Sequence, residues 1–163
     1  MIRATVLWPD PILSGTCDRI GQIDDAIRTL AADMLDTMYN AAGRGLAAPQ
    51  VGVPLRLFVM DCTWKDGKKS PRILVNPEIV TVSGGCVTGP ESCLSIPGVT
   101  ARIERHRAIT LRCTGMDGHP QEESMTGFQA ICVQHEIDHL NGIVIFDRVP
   151  PDTRAVLEAG YAG

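Results

Sequence analysis

The sequence predicts an α+β fold, mostly antiparallel sheets packed around one helix able to bind a metal ion. Three observations carry this expectation. One amphipathic helical stretch lies near the N-terminus, and short Val/Ile/Leu-rich runs bounded by Gly and Pro turns follow it. Late in the chain a second helix contains His135-Glu136-Ile137-Asp138-His139. Because regular helices do not separate the strands, a parallel βαβ sheet is disfavoured. With 163 residues and 44% apolar content, the chain is expected to form one globular domain spanning residues 1–163.

The elements follow in order. Pro9, Pro11, Gly15 and Gly21 mark the start as an irregular arm wrapping the domain. From Asp24, a plausible N-cap, Ile27, Leu30, Ala31, Met34, Leu35 and Met38 recur at helical spacing, with Gly43 as the expected stop. Residues 56–63, 73–83 and 108–114 read as strands. Asp66-Gly67 and Asp117-Gly118 read as hairpin turns. Gly127 to Leu140 reads as the second helix, stopped by Asn141-Gly142. Residues 143–149 read as a last short strand, and Pro150-Pro151 opens a short tail.

Composition narrows the function classes. The formal net charge is −4, and the longest cationic cluster is the short Lys65 to Lys69 run, which reads as a hairpin tip. Direct nucleic-acid binding is therefore not expected. The first nine residues lack the apolar core of a signal peptide, and no run approaches the ~20 apolar residues that span a bilayer. A cytoplasmic protein with no membrane partner is expected. Six cysteines (17, 62, 86, 93, 113, 132) form no CxxC pair, and in a reducing compartment they read as thiols, not a disulfide framework.

His135 and His139 stand about 40° apart on one helical face, so both imidazoles can reach one ion. Glu136 sits beside the first ligand and can address the water there. A catalytic centre of this kind takes three protein ligands and keeps one position open. Of the remaining candidates, His119 sits on an exposed turn and His106 in the cation-rich run from Arg102 to Arg107. Cys93 lies in a segment from Gly89 to Gly98 punctuated at both ends by Gly and Pro, which reads as a rigid irregular loop. Cys132, one turn before His135, reads as a pocket wall, and Cys93 as the third ligand. Phe128 and Ile131 share that helical face with Cys132.

Three blocks together resemble the peptide deformylase family: Gly43-Arg44-Gly45-Leu46-Ala47-Ala48-Pro49-Gln50, then Glu91-Ser92-Cys93-Leu94-Ser95, then Gln134-His135-Glu136-Ile137-Asp138-His139-Leu140-Asn141-Gly142. The Trp8-Pro9-Asp10-Pro11-Ile12-Leu13 opening is similar to the family's N-terminal arm, so the likeness extends to about Val149. The resemblance implies a deformylase fold and one divalent metal ion on Cys93, His135 and His139. The resemblance further implies ferrous iron as the common ion in cells, with zinc, nickel or cobalt as substitutes. It implies hydrolysis of the N-formyl group from the methionine that starts a nascent peptide, releasing formate. Glu136 is then the proton carrier, and the Gln50 side chain and Leu94 backbone N–H are donors to the developing oxyanion. N-formylmethionyl nascent peptides are the implied partners, extended along main-chain groups near Arg44 and Ser92 beside Gly43 and Gly45. Phe128, Ile131 and Cys132 are implied to line the methionine pocket, and Arg105 to pair with Glu91.

Two positions depart from the family pattern. Ser92 replaces a glycine; a positive φ there would cost about 1–2 kcal/mol, whereas an extended backbone would make the serine harmless. Arg44 replaces an apolar residue and adds a positive charge at the cleft mouth, which predicts a shift toward acidic groups in the second or third substrate residue. The short C-terminal tail carries Arg154 against Asp152 and Glu158, so stable ribosome docking through a long basic helix is not expected. The alternative reading is a catalytically weak or inactive deformylase-like metal-binding protein. A zincin-type protease needs a further glutamate-bearing helix after His139, and the 24 residues from 139 to 163 (163 − 139) leave no room for one.

Overall fold

The computed structural model describes residues 1–162. The helices are α1 (Asp25–Asn40), α2 (Gly127–Leu140) and α3 (Pro151–Ala162). The strands are β1 (Gly45–Ala47), β2 (Leu57–Met60), β3 (Arg72–Cys93), β4 (Ile96–Thr114) and β5 (Pro120–Thr126). The strands form one sheet in the order β1-β2-β3-β4-β5 with antiparallel neighbours throughout.

α1 begins where the sequence places it, with the Asp24 side chain accepting from the Ile27 N–H. It does not stop at Gly43. Ala42 takes the left-handed conformation (φ 56°), and the Gly43 N–H bonds the Met38 carbonyl. Ala42 thus supplies the turn that glycine would adopt more cheaply, and Gly43 serves the cleft instead. Ile27, Leu30, Ala31, Met34 and Met38 bury against Leu46, Leu57 and Val59. α2 lies across the other part of the sheet. Its Ala130, Val133, Ile137 and Leu140 pack with Phe58, Leu74, Ile109 and Leu111. From Cys132 to Leu140 every residue but His135 is buried, which takes Gln134, Glu136, Asp138 and His139 out of water.

The structure corrects further expectations. Residues 89–98 are not an irregular loop but the tip of a long hairpin, in which β3 runs to Cys93, turns at Leu94-Ser95 and returns from Ile96. Gly84-Gly85, which reads as a strand end, is a bulge with both residues at positive φ, and the ladder resumes at Cys86↔His106. Residues 143–149 hold a 3-10 turn (Ile145–Arg148) in place of a strand, because Ile145 and Phe146 both bury in the third core cluster and strand alternation would expose one of them. The tail is helical: α3 packs Leu157 and Tyr161 onto this cluster, and the Tyr161 hydroxyl donates to the Trp8 carbonyl at 2.7 Å. Contrary to expectation there is thus room after His139 for a helix bearing a glutamate, but Glu158 pairs with Arg154 at 2.9 Å and is not part of the metal cluster. Gly163, the last residue of the expected tail, lies outside the described residues.

The N-terminal arm wraps the core as expected and also fastens the site. The Val6 N–H donates to the Gln50 carbonyl (2.7 Å) and the Trp8 N–H to the Ser95 carbonyl (2.9 Å), so one extended segment spans two loops that meet at the metal cluster. Further on, the Cys17 N–H bonds the Leu140 carbonyl at the end of α2 (2.9 Å). There Gly142 holds φ 74°, and a Cβ on it would meet the Ser14 carbonyl oxygen at 2.6 Å. Gly142→Ala combines backbone strain with a clash against main chain. It should cost about 1–3 kcal/mol, read as a lowered urea midpoint with unchanged slope.

Candidate metal centre

Two elements supply the ligands, and each reaches the centre for a local reason. The tight turn at Leu94-Ser95 ends β3 with the Cys93 side chain directed inward, 7% exposed. α2 supplies His135 and His139 one turn apart. The three donor atoms lie within 4.8 Å of one another, the one such cluster among the described residues. The Cys93 Sγ stands 3.3 Å from the His139 Nε2, close to the edge of about 3.6 Å expected when a tetrahedral ion joins one sulfur and one nitrogen.

The surroundings fix the donor states. His135 Nδ1 donates to Glu91 Oε1 at 3.0 Å, which leaves Nε2 as the free lone pair for an ion; a carboxylate behind a ligating imidazole orients it and raises its basicity. Burial opposes the Cys93 thiolate, yet His139 and His135 outweigh it and hold the thiol well below its ordinary value. Burial likewise opposes His135 in its charged form, while Cys93 and Glu91 pull it well above the ordinary imidazole range. Burial, helped by the nearby Cys93 and Glu91 charges, pushes the Glu136 carboxyl up against the opposing pull of His135 and His139. Among the described residues, Glu136 Oε2 and His139 Nδ1 are the two buried side-chain polar atoms without a hydrogen-bond partner. A thiolate, two imidazoles and an unpartnered carboxylate at the rim fit a catalytic divalent metal centre with three protein ligands.

Behind His135 runs a chain of charges. Arg105 grips Glu91 with two bonds of 2.9 Å and reaches Asp138 at 2.7 Å, and Asp138 is held from its other side by Arg148 at 2.7 and 3.0 Å. Burial disfavours the Glu91 carboxylate, but Arg105 and His135 prevail and bring it from its ordinary 4.5 down to about 2. The Glu91–Arg105 pairing matches the sequence expectation. Asp138, Arg148 and Gln134 do not figure among the sequence candidates. Gln134 clamps the His106 backbone with bonds of 3.0 and 2.9 Å. Asp138 carries a signal in hindsight: a charged residue within a helix turn otherwise committed to the core needs a buried partner.

The centre opens into a cleft of about 680 Å³ that contains every other sequence candidate: Gly43, Arg44, Gly45, Gln50, Ser92, Leu94, Phe128, Ile131 and Cys132, with Glu136 on its floor. Gln50 is fully positioned, its Oε1 accepting from the Ala47 N–H (2.9 Å) and its Nε2 donating to Ser95 Oγ (3.0 Å) beside Cys93 Sγ (3.6 Å). Ser95 is a further residue that the sequence does not single out. Ser92 settles on the harmless side: it is exposed, pairs with Thr100 in the ladder and has no positive φ. Gly45 has a specific reason to lack a side chain, since a Cβ would meet Cys132 Sγ at 3.0 Å and Glu136 Cδ at 3.1 Å. The Arg44 carbonyl is used on the β2 side, accepting from the Asp61 N–H at 2.9 Å. Antiparallel alternation then turns the Gly45 backbone groups toward the cleft.

Comparison with known proteins places this arrangement. Residues 2–155 match the family model described as polypeptide deformylase. The peptide deformylase of Agrobacterium fabrum is 44% identical over 148 residues, covering 91% of this chain and 87% of that protein. That of Alkalilimnicola ehrlichii is 48% identical over 142 residues, with coverages of 87% and 79%. Among solved structures, a peptide deformylase from Legionella pneumophila superposes with a TM-score of 0.93 at 40% identity, covering 99% of this chain and 94% of that one. A peptide deformylase from Synechococcus elongatus in complex with actinonin gives 0.90 at 36% identity, with coverages of 97% and 85%.

Glu91→Gln removes the charge that orients His135 and leaves Arg105 with Asp138 alone. Divalent metal affinity should fall by about 10–100-fold in chelator competition. The acid limb of stability should flatten in the same variant. A carboxyl held at about 2 in the fold instead of 4.5 contributes fully above about pH 4.5 and loses that contribution as pH falls toward 2.

Proposed function

This chain belongs to the polypeptide deformylase family, and we propose that the cleft hydrolyses the N-formyl group of N-formylmethionyl nascent peptides, releasing formate. The chain is a metal-dependent amide hydrolase. Cys93, His135 and His139 are the residues we assign to the metal, with ferrous iron as the ion in cells; an N₂S donor set also accepts zinc, nickel or cobalt. A divalent ion held there supplies Lewis acidity, by which water becomes nucleophilic near neutral pH.

The observation that carries the chemical reading is Glu136. It is buried, its Oε2 has no partner, and its Oε1 lies 3.8 Å from His135 Nε2 at the metal edge of the cleft. Burial raises its pKa, which suits a group that must first accept a proton and then return it. Glu136 takes the proton from the attacking water and passes it to the amine nitrogen as the C–N bond breaks. The formyl oxygen gains charge during attack, and the Gln50 amide and Leu94 backbone N–H are the donors assigned to it. Gln50 is held at both ends of its amide before substrate arrives, so little reorganisation accompanies the reaction.

Substrate placement follows from the same cleft. The edge of β1 at Gly45 is open to an extended peptide, and the wall of Phe128, Ile131 and Cys132 suits an unbranched methionine side chain. Among the described residues no helix is long and apolar enough to cross a membrane. On α3, Arg154 is set against Asp147 and Glu158. Action on released or emerging chains in the cytoplasm is the setting that fits.

Protein purified anaerobically with iron or nickel should release formate from formyl-Met-Ala-Ser. Glu136→Gln should lower kcat by about 10²–10⁴-fold while the metal content by elemental analysis stays at one per chain. A fully metallated wild type that releases no formate would favour the inactive reading.

A further inference from the structure

We propose that Arg44, supported by Lys65, makes this cleft select formylated peptides with an acidic side chain at the third residue. The proposal rests on the deformylase reading and names the substrate class of that same site. Arg44 lies half-buried on the cleft wall, with its guanidinium 5.4 Å from the centroid of the Phe128 ring. Phe128 is 49% exposed, so the ring forms both the outer end of the methionine wall and a shelf that holds the cation at the mouth.

Lys65 reaches the same mouth independently. The Trp64 indole N–H donates to the Gly43 carbonyl at 2.9 Å, which ties the 3-10 turn of residues 64–66 to the cleft edge and brings exposed Lys65 into its lining. The facing wall is charge-free at Pro90, Ser92, Pro97 and Gly98. The remaining charged groups lie deep: Glu91 and Arg105 neutralise each other, and Glu136 sits at the metal end. A peptide leaving the metal therefore meets a mouth with two cations and no anion.

Period two assigns the residue. In an extended peptide, side chains one and three fall on the same side, about 7 Å apart. With the methionine side chain against Ile131 and Phe128, the third side chain comes next along that side, where the Arg44 guanidinium lies. The second points the other way.

The test compares kcat/KM for formyl-Met-Ala-Glu, formyl-Met-Ala-Lys and formyl-Met-Glu-Ala in the wild type, Arg44→Leu and Lys65→Ala, at low and at high salt. An exposed pair of this kind predicts a Glu-over-Lys ratio of about two- to five-fold at position three, carried mainly by KM. The ratio should shrink at high salt and approach unity in Arg44→Leu, with Lys65→Ala in between. Glu at position two should gain less than Glu at position three. Equal rates, a lysine preference, or a ratio unchanged by Arg44→Leu overturns the proposal while leaving the deformylase reading intact. Failure to hydrolyse even formyl-Met-Ala-Ser contradicts that reading and removes this proposal with it.

Discussion

The site depends on one buried guanidinium. Arg105, 5% exposed, binds Glu91 on β3 and Asp138 on α2, while Glu91 in turn receives His135. The two elements that carry the metal ligands thus meet through a charge on β4. Three desolvated charges and one imidazole are costly to bury, and the arrangement holds only because nearly every lone pair has a donor. Removing one partner of such a set typically costs about 3–5 kcal/mol. The consequence is positional: the cysteine strand and the histidine helix cannot slide past one another without breaking the His135–Glu91 and Arg105–Asp138 bonds. The ligands are therefore gathered by protein–protein contacts and not by the ion alone.

The cleft follows from what is left unpaired around that frame. β1 has three residues and one neighbour, so its outer edge is left unpaired beside the metal cluster. The N-terminal arm fixes Gln50 and Ser95 from behind, which orients an amide at the centre with no contribution from substrate. Glycine at position 45 leaves Glu136 and Cys132 in place and lets a peptide backbone approach. Rigid donors, one unpartnered carboxylate and an open strand edge are together what amide hydrolysis of an extended chain requires.

Much of this is legible in the sequence because chemistry concentrates in short motifs. The HExxH spacing puts two imidazoles on one face whatever the surrounding fold does, and the Gly-rich block and the Cys93 block identify the remaining positions by resemblance. The long hairpin is not legible, for physical reasons. Gly84-Gly85 punctuates β3 as a turn would, yet serves a bulge, and the strand beyond it is mostly exposed and lacks an apolar rhythm. On β4, Val99, Ala101, Ile103 and Arg105 do alternate inward, but the last is charged and breaks the pattern at the residue that matters most. Asp138 is hidden for the same reason, since its role exists only once Arg105 is buried opposite. α3 escapes notice because its anchors, Leu157 and Tyr161, become apolar contacts only against Trp8 and Phe146, distant in sequence.

X-ray absorption on the zinc-loaded protein tests the central claim, an N₂S centre preassembled by the Arg105 network, most directly. The account predicts one sulfur scatterer at about 2.3 Å and two imidazole nitrogens at about 2.0–2.1 Å, with the sulfur lost in Cys93→Ser and retained in Cys132→Ser. A centre without sulfur, or one whose sulfur survives Cys93→Ser, would contradict it.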